Sequence, residues 1–147
     1  MNLKVLSVRE PWASLMFIGA GAKDVENRTW STKHRGRLLI HASSTLILKD
    51  YNHSMKGVMG MALQKSVLGL HFEDIGPLMD SSSVRGHLGR IIGEVSLDAV
   101  MTGYGGPWAF DDCYHWHLSQ PRKYDTPTPF KSGLGLRNID SNIVNGA

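Results

Sequence analysis

Apolar and polar residues alternate along most of this chain with the period of a β-strand. Leu3–Arg9 sets Leu3, Val5 and Ser7 against Lys4, Leu6 and Val8 and predicts a first strand. Pro11 follows at a position suited to the first turn of a helix, where its missing N–H costs little. Trp12, Leu15, Met16 and Gly19 then keep the spacing of one helical face, and Gly19 and Gly21 are expected to end that short helix. Asp24–Trp30 predicts a second strand, with Asp24, Glu26, Arg28 and Trp30 on one face and Val25, Asn27 and Thr29 on the other. A polar, basic turn over residues 31–36 leads into a third strand, Arg37–Ser43. Its consecutive Leu38, Leu39 and Ile40 predict a central position in a sheet.

The period changes after Ser43. Leu46, Tyr51, Met55, Val58, Met59, Ala62 and Leu63 form a broad helical stripe within 44–70, interrupted by Gly57, Gly60 and Gly69. Residues 71–86 read as an exposed, mobile loop. Leu88–Met101 is the longest strand candidate, and Gly93 within it suggests a bulge or a close backbone approach. Tyr104–Pro107 is a glycine-rich turn and Cys113–Leu118 a further strand. Pro121-Arg122 is expected to start a connection, and Leu134–Ile139 to close the sheet. Ser141–Ala147 reads as a frayed tail. The expected class is α+β: one domain over residues 1–140, a curved sheet or small barrel of five to six strands with helices packed outside.

Composition narrows the function classes. At 147 residues, 41% apolar and 20% charged, the chain suits a single soluble domain. Its longest apolar run, Leu15–Ala22, is far short of the roughly 20 residues that cross a bilayer. One cysteine, Cys113, excludes an internal disulfide, and the first residues show no signal-peptide pattern, so a cytoplasmic location is expected. Charge is uneven. Residues 1–49 hold eight Lys/Arg against three acids, while the rest hold eight against ten. A basic segment that also carries an unusual charged strand points to an anionic ligand.

Several ordered blocks resemble one family. LSVREPWASLMFIGAGAKDVENRTW, HRGRLLIHAS, GRIIGEVSL and PTPFKSGLGLRNI are similar to the ASCH domain (activating signal cointegrator homology). Its Gly-x-Lys-x-x-Glu-x-Arg pattern is met by Gly21, Lys23, Glu26 and Arg28. The resemblance implies a small PUA-like β-barrel with flanking helices. It also implies a cleft holding the Lys, Glu and Arg of the pattern, used on single-stranded RNA or a nucleotide-like ligand. Some members of the wider family look like amidohydrolases of a modified nucleoside or single-strand ribonucleases. The amidohydrolases share Lys23 but carry threonine where Glu26 stands here.

The residues suggest the following chemistry. Arg28 offers a planar fork and Lys23 a point charge for phosphate. Glu26 and Arg28 are two residues apart on a strand face, about 7 Å between Cβ atoms, so both would reach one nucleotide, with Glu26 accepting from a base amine. The competing role for the three is a structural ion network that pins strand register. Trp12 and Trp30 are stacking candidates; Trp12 lies on the apolar helical stripe and so also reads as core. Arg9 and Arg35-Gly36-Arg37 are candidate rim contacts to phosphate, and Lys131-Ser132-Gly133 would close the cleft from the C-terminal side. His115 and His117 share a strand face and read as partly exposed sheet residues; His41 reads as a hydrogen-bonded core residue. No metal or cofactor motif is recognised. Two functions follow: a binding module for RNA or a nucleotide, or a small hydrolase of RNA or a modified nucleoside. In the second, Lys23, deprotonated more easily through burial beside Arg28, would act as base or water activator and Glu26 would shuttle the proton.

Overall fold

The computed structural model of the chain describes residues 2–10, 12–19, 22–43, 86–106, 108–131 and 133–144. The helical stripe expected over 44–70, most of the following loop, and Gly21 and Ser132 of the site lie outside those residues.

Six strands form one mixed sheet: β1 (Asn2–Val8), β2 (Val25–Arg28), β3 (Gly36–Ala42), β4 (Arg90–Met101), β5 (Tyr114–Pro129) and β6 (Leu136–Asp140). Their spatial order is β2-β5-β4-β3-β1-β6. β1 and β3 run parallel, and every other neighbouring pair is antiparallel. The ladder is open, with β2 and β6 as its two edges. Helix among the described residues is limited to α1 (Trp12–Leu15), to Gly86-His87 and to a 3-10 turn at Ser141–Ile143.

Leu38, Leu39 and Ile40 are consecutively apolar because β3 is covered on both faces. Leu38 and Ile40 pack with Leu6, Val8, Ile92, Leu97 and Trp116 on one side, whereas Leu39 joins Leu3, Val5, Ile91 and Tyr124 on the other. Val144 is buried in that second cluster, just after the 3-10 turn in which Asp140 accepts from the Asn142 amide.

The largest departure from the sequence expectation is β5. It does not stop at Leu118 but runs to Pro129, because its internal prolines, Pro121 and Pro127, fall where the ladder is irregular. Ser119 pairs with Ser96 and Arg122 with Glu94, so Gln120 and Pro121 together face one residue of β4. That is a β-bulge, and Gln120 takes φ +50° within it. A proline in a bulge removes no ladder hydrogen bond, so the strand continues past it. Gly93 sits opposite: a Cβ there would come within 2.6 Å of the Arg122 carbonyl and 2.8 Å of the Phe17 ring. Both the bulge and the close approach that Gly93 suggested are therefore present.

Candidate functional site

The site begins with the way α1 ends. Met16 and Phe17 bond back three residues, Gly19 takes φ +89°, and the Lys23 amide donates to the Leu15 carbonyl at 2.9 Å. The chain therefore folds back beneath the helix turn and delivers Lys23 into the interior, only 3% exposed. Glu10 closes the other end of the turn, accepting the Ser14 amide at 2.8 Å and the Ser14 hydroxyl. Burial pushes the Glu10 carboxyl above its ordinary value, despite those hydrogen bonds and the nearby Lys123.

Lys23, Glu26 and Arg28 do converge, and they bind one another. Lys23 Nζ donates to Glu26 Oε1 at 2.7 Å and to the Val25 carbonyl at 2.5 Å. Arg28 donates to Glu26 Oε2 from Nη2 at 2.7 Å and from Nε at 3.1 Å. Burial alone would raise the Glu26 carboxyl; the charges of Lys23 and Arg28 and their hydrogen bonds outweigh it and hold it below the usual range. Arg28 then reaches beyond its own strand, donating from Nη2 to the Ser7 carbonyl of β1 at 2.9 Å. β2 is an edge of the ladder and β1 is four strands away in it, so this bond spans the opening of a coiled sheet.

That opening is the cleft. It holds about 1160 Å³ and is lined by Ser7, Arg9, Trp12, the stretch Glu26–Trp30, Phe110 and Gly133–Gly135. Trp12 meets Phe110 edge-on at 6.4 Å and Trp30 meets Trp116 edge-on at 4.8 Å. Phe110 is held by β2 and β5: its amide donates to Asn27 Oδ1 at 2.9 Å and its carbonyl accepts from His115 Nε2 at 2.5 Å. Asn27 also donates to the Trp108 carbonyl at 2.9 Å, pinning the 108–110 segment against the cleft. On the opposite wall His41 is the anchor. Its Nε2–H donates to the Phe130 carbonyl at 2.8 Å, which leaves Nδ1 to accept from the Ser7 hydroxyl at 2.9 Å. Burial lowers the affinity of this ring for a second proton, as befits a neutral core imidazole.

The other expected site residues sort plainly. Arg9 is exposed on the cleft rim, and Trp30 is half-buried in its wall. Trp12 is half-buried too: it packs against the core and lines the cleft, so the core assignment is only part of its role. Arg35 does not reach the cleft; it is exposed and folds onto its own turn through the Thr32 and His34 carbonyls, each at 2.8 Å. Arg37 is drawn to Glu94 at 2.7 Å, in a surface cluster with Arg122 and Tyr124. Of the expected C-terminal segment, Gly133 lines the cleft together with Leu134 and Gly135, whereas Lys131 is exposed and absent from the lining. His115 is buried, not partly exposed, with both ring nitrogens hydrogen-bonded. Sequence reasoning passed over Phe110, Asn27 and Ser7, since nothing in their spacing signals that three distant segments meet at one opening.

With the geometry in place, comparison with known proteins is informative. The ASCH domain family model matches residues 6–127, and the chain belongs to that family. The family is PUA-like and associated with RNA binding. The chain is 56% identical over 39 residues to human Activating signal cointegrator 1 and 55% identical over 38 residues to the mouse protein of the same name. Each match covers 26% of this chain and only 6% of the relative, so the kinship is that of a domain and not of whole proteins. No helix among the described residues is long and apolar enough to cross a membrane.

Proposed function

We propose that this chain is a binding module that takes single-stranded RNA or a nucleotide-like ligand into the cleft between the sheet edges. The observation that carries this is the meeting of cations and aromatic rings in one open hollow: Arg9 and Arg28 beside Trp12, Trp30 and Phe110. Such a combination suits a ligand with π-faces and negative charge, and the family association agrees with it. The hydrolase alternative gains nothing from the geometry. Two of the three Lys23 Nζ–H groups and both Glu26 oxygens are engaged within the protein.

Fluorescence anisotropy with labelled single-stranded RNA, alongside a nucleoside panel and product analysis on the same samples, tests this. Binding without turnover is expected, weakened about tenfold or more in Arg28→Ala, the usual scale for a lost charged hydrogen bond. Turnover abolished by Lys23→Ala would favour the hydrolase, and unchanged binding in Arg28→Ala would overturn the cleft assignment.

A further inference from the structure

Which hydrogens face the cleft decides whether it grips a backbone or a base. Five cationic side chains of the basic segment were candidates for phosphate. Lys23 is buried on Glu26 and Val25, Arg35 folds onto its own turn, and Arg37 pairs with Glu94. Arg9 remains on the rim, and Arg28 within the wall, its side chain 24% exposed.

Arg28 is more restricted than its charge suggests. A guanidinium has five N–H groups. Here Nε–H and one Nη2–H go to Glu26 Oε2, and the other Nη2–H goes to the Ser7 carbonyl. The Nε/Nη2 edge, one of those that could grip two phosphate oxygens, is thus occupied, and an Nη1/Nη2 pair lacks its Nη2 hydrogens. The hydrogens left over are those of the Nη1 amino group, its plane fixed by the bonds to Glu26. A single planar donor beside Trp12, Trp30 and Phe110 matches a ring carbonyl on a stacked base better than a run of phosphodiester.

We propose that the cleft selects one unpaired base carrying a ring carbonyl, read by Arg28 Nη1 and held on the aromatic walls, with Arg9 as the one backbone contact among the described residues. Glu26 is then a positioning residue that sets the plane of the guanidinium. This inference rests on the nucleotide-binding reading above and deepens it.

The test changes the probe and leaves the protein intact. Labelled pentaribonucleotides with four abasic positions and a central hypoxanthine, adenine or further abasic site are titrated at 50 and 200 mM salt, beside an ordinary single-stranded RNA. Hypoxanthine and adenine have the same ring size but differ on one edge: a carbonyl with a protonated N1 in the first, an amine with an unprotonated N1 in the second. Removing the central base is expected to weaken binding about five- to a hundredfold, the range for one stacked base. Hypoxanthine is expected to bind about tenfold tighter than adenine, as for one charge-assisted hydrogen bond. The salt change is expected to cost about threefold, the value for one phosphate contact, where four contacts would cost about fiftyfold. Equal binding of the fully abasic strand, equal binding of the two purines, or the larger salt effect would each overturn the proposal. If the ordinary RNA binds while no one-base strand does, the single-base claim falls and the nucleotide-binding reading survives. If nothing binds, both fall.

Discussion

Glu26 holds two cations in a nearly dry site, and its neighbours fix what each substitution does. Removing one partner of a buried ion pair typically costs about 3–5 kcal/mol, because the other charge is left uncompensated. Glu26→Gln should therefore lower stability by about 3 kcal/mol in urea denaturation, since it strands Lys23 and Arg28 together. Arg28→Ala should cost less stability, because Arg28 is partly solvated, yet harm binding more. The same residues set the pH response. The folded Glu26 carboxyl lies below its unfolded value, so its stabilisation is complete above about pH 4.3 and is lost as pH falls further. His41 is also lowered, so the folded state binds its proton less readily than the unfolded chain, and stability should start to fall below about pH 6.5. His41→Gln should flatten the decline between pH 6.5 and 5 in thermal melts; an unaltered profile would remove His41 from the account. The grouping of Lys23, Glu26 and Arg28 was legible from their spacing. An ion network among them was one of two roles the sequence left open; the choice between them was not legible, because the burial of Lys23 depends on the bond its backbone makes to Leu15, which no local pattern encodes.

At the scale of elements, periodicity located the strands and proline misled about one of them. β1, β3 and β4 are near their expected positions, since each alternates or runs apolar in keeping with its place in the sheet. β5 was cut short because Pro121 and Pro127 ordinarily end a strand. Here they lie in register shifts against β4, a cross-strand circumstance invisible along one strand. Gly93 is the counterpart of those shifts. Gly93→Ala should destabilise by about 1–3 kcal/mol, the range for overpacking a filled site, because the new methyl meets both backbone and ring. Stability equal to that of the parent protein would mean that the β4–β5 pairing is looser than described.

Over the described residues the protein is an open sheet coiled until β2 faces the end of β1 and the loop before β6, with a ligand-sized hollow at the seam. No single segment of sequence builds that seam. β2, the end of β1, Phe110 and the loop before β6 each contribute to it, and only the topology joins them. The family blocks pointed to a cleft, whereas the edge-to-edge construction and the part played by Phe110 required coordinates. Because Arg28 spans the seam to Ser7, Arg28→Ala should also speed amide hydrogen exchange in β2 more than in β3; uniform exchange would show that this bond does not hold β2 in place.

The four indole N–H resonances offer the most direct measurement of the central claim. Trp12 and Trp30 line the cleft, whereas Trp108 is 2% exposed and lies outside it. Titrating nitrogen-15-labelled protein with a short single-stranded RNA should shift the Trp12 and Trp30 indole signals together with Arg28 Nε, while Trp108 stays in place. Shifts confined to the basic turn at residues 31–37, with both cleft indoles unmoved, would contradict it.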